Sequence, residues 1–217
     1  MSDVTGLRER KKQRTHRAIS EAAIALFLER GFTRVSVAEV AAAAEVSKRT
    51  LFAYFPTKED LVVHRFADHE TEAARVVRAR PAGTTPLTAL REHFLDGLRR
   101  RDPVTGLNDD PGIRALFRMI LDTPALVARV ERFNTAAQHA LAQALRETAD
   151  TPALTARLAA AQLVAVHWAL ALDNVERLAR GEAADERYAT AVSDAEHGFA
   201  LLENGLGRLP TATPASG

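Results

Sequence analysis

Three consecutive residues, Lys48, Arg49 and Thr50, could bind a polyanion. They follow Ser47, a residue type that caps helices, and Tyr54 lies one helical turn beyond Thr50. Cations and amides at the beginning of a helix neutralise phosphate, and Arg can donate two hydrogen bonds to one guanine in the major groove. This combination favours a surface that binds nucleic acid, although a solvated corner between two helices has a similar composition.

Two short helices must position these side chains. Leu51 and Phe55 are four residues apart, so they form one apolar stripe that turns the cations outward. Ser36 and Glu39 form an S-x-x-E capping box that begins the preceding helix. Only residues 44–46 separate the two helices, which is typical of a helix-turn-helix. Spacing alone fits a surface helical hairpin equally well.

The composition predicts an all-α protein. Of 217 residues, 47% are hydrophobic and only 6% aromatic, and alanine and leucine supply much of the apolar content. The absence of cysteine excludes disulfides and thiolate chemistry, and it fits a reducing cytoplasm. No uninterrupted apolar run reaches the roughly 18 residues that span a bilayer, and the N-terminus lacks the apolar segment of a signal peptide. We therefore expect a cytoplasmic protein without a membrane partner.

The net charge of +1 hides an asymmetry along the chain. Residues 1–65 hold 12 Lys and Arg against 8 Asp and Glu, whereas the remainder holds 17 against 20. A basic N-terminal part on a mildly acidic body indicates that the N-terminal part meets the polyanion.

Periodicity and caps predict about nine helices and three regions. Residues 1–57 are a three-helix helix-turn-helix domain, residues 58–208 are a helical ligand-binding and dimerisation domain joined to it by a long helix, and residues 209–217 are a disordered tail. The predicted helices are 8–30, 36–43, 47–54, 57–80, 86–101, 112–122, 124–149, 154–180 and 184–206.

The segment 15–61 resembles the DNA-binding domain of the TetR family of bacterial transcriptional regulators. The resemblance covers less than a quarter of the chain, but its residues are ordered and specific. They are Gly31-Phe32-Thr33, Val37-Ala38-Glu39-Val40-Ala41, Val46-Ser47, Thr50-Leu51-Phe52-x-Tyr54-Phe55 and Lys58-Glu59-x-Leu61.

The resemblance implies which residues meet operator DNA. Thr33, Tyr54 and Lys58 occupy positions that contact phosphate in the family, and the beginning of the third helix faces bases and backbone. Phe52 departs from the family, which often has tyrosine there, so it either packs or contacts DNA. The predicted DNA-binding residues are Thr33, Ser36, Ser47, Lys48, Arg49, Thr50, Tyr54 and Lys58.

A heptad stripe in the last predicted helix indicates lengthwise helix packing. This stripe could be buried within one subunit. The family resemblance instead implies a homodimer formed by the last two helices. Such a dimer would bind an inverted repeat. The predicted interface residues are Tyr188, Val192, Ala195, Phe199 and Leu202.

The resemblance also implies a small-molecule cavity among the middle helices. Aromatic and Met residues at helical spacing are more often simply core, but sparse charges on these helix faces favour an apolar or amphipathic ligand. The candidate ligand-binding residues are Phe94, Phe117, Met119, Phe133, His167, Trp168 and Asn174.

Together these observations predict a DNA-binding transcriptional regulator, a repressor that a small apolar or amphipathic ligand releases from an inverted-repeat operator. The alternative is a helical ligand-binding or adaptor protein with a vestigial DNA-binding head. An enzyme is not predicted, because His167 and Asp173 beside the apolar run form no recognised catalytic arrangement. No metal and no cofactor are predicted.

Overall fold

The computed structural model describes residues 2–64 and 67–205, and this part of the chain is all helical. The predicted all-α class is confirmed. Short 3₁₀ turns occur at Phe32–Arg34 and Pro103–Thr105. The α-helices are α1 (Ser2–Arg30), α2 (Val37–Ala43), α3 (Lys48–Tyr54), α4 (Asp60–Val63), α5 (Ala67–Glu70), α6 (Glu72–Ala79), α7 (Pro86–Arg99), α8 (Pro111–Leu121), α9 (Pro124–Ala149), α10 (Ala153–Ala179) and α11 (Ala184–Asn204).

The predicted helix over 57–80 differs from the structure, which divides it into α4, α5 and α6. The sequence shows no break because neither Gly nor Pro occurs between residues 60 and 79. Thr71 nevertheless leaves the helical conformation, with φ −102° and ψ 2°. The beginning and the end of this stretch belong to different compact units, and packing on two separate cores overrides local propensity.

The chain forms two compact units, and neither is continuous in sequence. The first contains Met1–Asp68 and Asp110–Asn134, and the second contains His69–Asp109 and Thr135–Gly217. Because α9 crosses from one to the other at Asn134, it is a helical connection between them. The contiguous domains 1–57 and 58–208 stay a prediction, and the predicted tail 209–217 lies outside the described residues.

The first unit has an aromatic and aliphatic core that α1, α2 and α3 share. Phe27 of α1 lies against Phe32, with 5.0 Å between ring centroids, and Val40 of α2 is fully buried. Leu51 and Phe55 are buried as predicted. Their burial leaves the opposite side of α3 to solvent.

The second unit is built from α6, α7, α10, α11 and the second half of α9. Gly198 of α11 lets that helix approach α10 closely, since a Cβ at Gly198 would lie 3.1 Å from Val166 and 3.5 Å from Leu170. The heptad stripe of α11 therefore lies on its own subunit. The core residues of this unit include Leu90, Phe94, Leu98, Leu141, Leu145, Leu163, Ala195 and Phe199.

Helix α10 is unusually apolar for a helix that is only partly covered. By length and composition alone, it is the one helix of the described residues that could cross a membrane. Apolar runs in the sequence predict no such segment, because Gln162 and His167 interrupt the apolar residues of α10, but the helix is apolar on average despite them. Leu154 and Leu158 are 59% and 54% exposed. A core helix packed on α11 would not by itself account for this apolar surface.

The turn between α2 and α3 sets the direction of α3. The amide of Val46 donates to the carbonyl of Ala41 (2.9 Å), and the amide of Glu45 donates to the carbonyl of Ala42 (3.1 Å). These are the two bonds of a Schellman motif. Glu45 occupies its left-handed position with φ 53°, where glycine is the usual residue. The sharp turn is thus made at a strained non-glycine residue.

Glu45→Gly is expected to raise the free energy of unfolding by about 1 kcal/mol, because glycine adopts positive φ without a clash between Cβ and the carbonyl oxygen. Ala44→Gly is the matched control, since Ala44 has φ −86° and glycine there only adds chain entropy to the unfolded state. Urea unfolding measures both variants. Destabilisation by both would contradict the left-handed conformation of Glu45.

Candidate nucleic-acid interface

The beginning of α3 is fixed by its cap. The hydroxyl of Ser47 accepts a hydrogen bond from the amide of Thr50 (3.0 Å) and lies 2.8 Å from the Thr50 hydroxyl. Lys48 and Arg49 follow directly and are exposed. They are therefore held on the first turn of a capped helix, where amide groups and side chains both favour an anion.

The exposed side of α3, which we call the recognition face, consists of Lys48, Arg49, Phe52 and Ala53. Thr50 and Tyr54 are half-buried at its border. The structure thus brings together the cations and hydroxyls predicted for this helix. It also adds Phe52, which is 46% exposed and does not pack into the core.

Thr33 and Ser36 lie before α2, where both are exposed. Ser36 completes the predicted capping box: its hydroxyl accepts from the amide of Glu39 (3.2 Å), whose carboxylate accepts from the amide of Ser36 (2.8 Å). Hydrogen bonds from the backbone and side chain of Ser36, and then from Arg30, lower the pKa of Glu39 to about 2. Ser36 therefore positions α2, and its DNA contact stays a prediction.

Lys58 points inward rather than into solvent. Its Nζ donates to the carbonyl oxygen of Phe32 (2.5 Å) and lies 4.3 Å from the centroid of the Phe32 ring. Burial lowers the pKa of Lys58 because it disfavours the charged form. Lys58 ties the residues after α3 to the 3₁₀ turn, so the phosphate contact predicted for it would require this bond to open.

A buried ion pair fixes the corner that follows α3. Asp60, only 6% exposed, accepts from the amide of Thr57 (3.0 Å) and from its hydroxyl (2.8 Å). Nε of Arg129 in α9 donates to the other carboxylate oxygen at 2.7 Å, and the Arg129 guanidinium stacks 4.7 Å from the Phe133 ring. Sequence reasoning misses Arg129, because no local spacing relates residues 69 positions apart.

The predicted ligand-binding residues divide between the two compact units. Phe117, Met119 and Phe133 belong to the first unit, whereas Phe94, His167, Trp168 and Asn174 belong to the second. Their contact with a ligand stays a prediction.

Asn174 is a buried structural link in the second unit. Its Nδ2 donates to the carbonyl of Thr105 (3.0 Å), and its Oδ1 accepts from Nε of Arg187 (3.2 Å). Arg187, 4% exposed, also donates to Asp173 (2.6 Å) and Asp194 (2.5 Å). With both ends of its amide occupied, Asn174 is the least suited of the candidates to bind a ligand.

His167 has the opposite character. Its ring lies 5.2 Å from Phe94 and 5.5 Å from Phe199, and its Nε2 atom is buried without a hydrogen-bond partner among the described residues. Burial, and then the nearby His93, lowers the pKa of His167 to about 4, so the imidazole is neutral at neutral pH. A neutral imidazole in an aromatic setting could hydrogen-bond a polar group of an otherwise apolar molecule.

Sequence reasoning also misses a polar cluster in this unit. The carboxylate of Glu72 binds Nδ1 of His69 and lies 3.0 Å from Nε2 of His93. Burial opposes ionisation of Glu72, but these hydrogen bonds outweigh it and lower the pKa of the carboxyl. Only the His69–Glu72 spacing is visible in the sequence.

The predicted dimer residues of α11 face the inside of their own subunit. Ala195 and Phe199 are buried in the core of the second unit, and Tyr188, Val192 and Leu202 pack against it. The heptad pattern reports this packing within the subunit, because a helix seam has the same period whether its partner lies in the same chain or in another. A dimer interface at the α11 stripe stays a prediction, and the burial of these residues in the core of their own subunit does not favour it.

Two short capped helices joined by a tight turn, with cations on the exposed first turn of the second, define a helix-turn-helix DNA-binding protein. The sequence profile of the family described as bacterial regulatory proteins, tetR family, matches residues 19–64. The HTH-type transcriptional regulator TcmR of Streptomyces glaucescens is 33% identical over 148 residues, which are 67% of this chain and 66% of TcmR. The chain thus spans just under two thirds of this relative, and it belongs to the TetR family.

Solved structures share the fold along most of the chain. A complex of SmeT with triclosan has a TM-score of 0.57 at 18% identity, covering 93% of this chain and 99% of SmeT. The transcriptional repressor FadR of Thermus thermophilus, in complex with lauroyl-CoA, has a TM-score of 0.53 at 23% identity, with the same coverage. These structures show the fold, and the family that matches residues 19–64 is one of bacterial regulatory proteins.

Arg129→Met is expected to lower the free energy of unfolding by about 2 kcal/mol, because it leaves the buried carboxylate of Asp60 without its counter-charge. Arg30→Met removes the exposed Arg30–Glu39 pair (2.6 Å) and is the matched control, with an expected loss below about 1 kcal/mol. Urea unfolding compares the two, and equal losses would show that the Asp60 pair is energetically an ordinary surface contact.

Proposed function

We propose that the protein is a cytoplasmic, homodimeric repressor that binds an inverted-repeat operator and is released by a small molecule. The observation that carries this proposal is the recognition face, a cationic first turn on a capped helix with its apolar stripe buried. Lys48 and Arg49 contact phosphate and base edges of the operator. Further contacts to the DNA backbone come from polar residues close to them in sequence: Thr33, Ser36, Ser47, Thr50 and Tyr54.

The dimer is proposed to form through the uncovered apolar side of α10. Leu154, Leu158, Ala165 and Ala169 are exposed. Their spacings of four, seven and four residues place them on one stripe, and Trp168 lies at its edge. A two-fold axis would bring two such stripes together, burying in the dimer what one subunit leaves in water. This surface keeps the prediction that the last two helices dimerise but moves the contact from the α11 heptad stripe to α10.

The effector is proposed to be an apolar or amphipathic molecule with a polar group. In the second unit, Phe94 and Trp168 are aromatic, and His167 offers a neutral nitrogen atom that has no hydrogen-bond partner within residues 2–64 and 67–205. Triclosan and lauroyl-CoA, which accompany SmeT and FadR, are themselves molecules of this kind. The resemblance in fold supports the class of ligand and does not identify it.

The alternative is a ligand-binding or adaptor protein whose DNA-binding head is vestigial. The capped α3 and its exposed cations favour the DNA-binding repressor, because a vestigial head would not be expected to retain both the cap and the cations. We propose no catalytic role.

A footprint on DNA beside the protein's own gene tests the proposal. Protection of an inverted repeat at moderate salt is expected, whereas ligand binding without protection of any candidate repeat favours the adaptor.

Lys48→Ala should weaken operator binding across sequences and reduce the slope of log K against log salt by about two, one phosphate contact in each half-site. Arg146→Ala is the control: it removes the same charge from an exposed position on α9 in the second unit, whereas the recognition face belongs to the first unit. Its slope should be unchanged. Fluorescence anisotropy over a salt series measures both, and equal slopes for the two variants would count against a phosphate contact at Lys48.

Leu158→Glu should convert the dimer to a folded monomer, raising the dimer dissociation constant at least about a hundredfold, because two carboxylates would be buried across the two-fold axis. Ala128→Glu is the control, since Ala128 is an exposed helical residue on α9 in the first unit and not on α10. Sedimentation equilibrium measures the association and circular dichroism the fold. A dimer that persists unchanged in Leu158→Glu would place the interface elsewhere.

A further inference from the structure

Phe52 is the most exposed of the phenylalanines whose side chains the structure describes in the first unit. Phe27, Phe32 and Phe55 are buried, whereas Phe52 is 46% exposed. An exposed large apolar side chain on a short helix contributes little to stability and is unfavourable in water. Its place therefore calls for an explanation outside the core.

The position of Phe52 on α3 supplies one. It stands four residues after Lys48, and Ala53 stands four residues after Arg49, so each apolar residue continues the stripe of a cation. The recognition face thus has two halves: a cationic first turn and an apolar second turn. A helix that only neutralised phosphate would gain nothing from the apolar half.

The apolar half has a chemical counterpart in the major groove. A phenyl ring has no donor or acceptor for phosphate or for the polar edges of bases. Thymine alone presents an apolar group there, its 5-methyl, and Ala and Phe are among the side chains that contact it. We propose that Phe52, flanked by Ala53, is a specificity-determining residue that contacts the 5-methyl group of one thymine in each operator half-site. This inference rests on the proposed DNA-binding function.

The experiment begins with duplex DNA that the wild-type dimer enriches from a random pool. Each thymine of the enriched site is replaced in turn by uracil, which keeps every hydrogen bond of thymine and lacks only the methyl group. Binding of wild type, Phe52→Ala and Leu28→Ala is measured on every duplex. Leu28 is the matched control because it is another exposed large apolar residue of the first unit, on α1 rather than α3.

Wild type and Leu28→Ala should lose about fourfold in affinity when one particular thymine in a single half-site becomes uracil, the factor that burial of one methyl group gives. The loss should be about fifteenfold when the equivalent thymines of both half-sites are replaced. Phe52→Ala should bind the thymine and uracil duplexes equally. Its salt slope should match that of wild type, because no phosphate contact is lost.

The inference is overturned if uracil at every thymine of the site leaves the affinity of wild type unchanged. It is also overturned if Phe52→Ala loses as much affinity as wild type on the same uracil duplex. The last result would mean that another residue contacts the methyl group. Failure of the proposed function looks different, because no sequence would then be enriched from the pool.

Discussion

The burial of Leu51 and Phe55 is the constraint on which the DNA-binding unit depends. With seven helical residues, α3 has room for one buried stripe. Because that stripe packs into the core, the other side of the helix is exposed. The cap at Ser47 and the left-handed turn at Glu45 then set where that side points. The composition of the recognition face is therefore a consequence of packing: α3 exposes Lys48, Arg49 and Phe52 because Leu51 and Phe55 are buried.

The corner after α3 shows how charged side chains connect separate parts of the first unit. Lys58 binds the carbonyl of Phe32, and the carboxylate of Asp60 joins Thr57 to Arg129 of α9. Both contacts use charged side chains in partly desolvated places, where a partner is worth more than at the surface. Because α9 continues as one helix into the second unit, Arg129 lies on an element that both units share.

The second unit combines two apolar surfaces with different roles. The α11 stripe closes its own core with the help of Gly198, and the α10 stripe is left uncovered. Buried polar groups are concentrated in a few places, the Arg187–Asn174 network and the His69–Glu72–His93 cluster, where partners satisfy them. His167 Nε2 has no such partner among the described residues, and that difference makes it the candidate of most interest for a ligand.

Local sequence pattern was enough to predict the features that depend on residues close together in the chain. These are the all-α class, the caps at Ser36 and Ser47, the helix-turn-helix and the inward stripe of α3. These depend on contacts within a few residues, which periodicity and cap chemistry encode. Tertiary structure alone decided the rest. Arg129 meets Asp60 across 69 residues, the helix predicted over 57–80 is divided between two cores, and the heptad of α11 faces its own subunit, because such contacts depend on which surfaces the folded chain brings together.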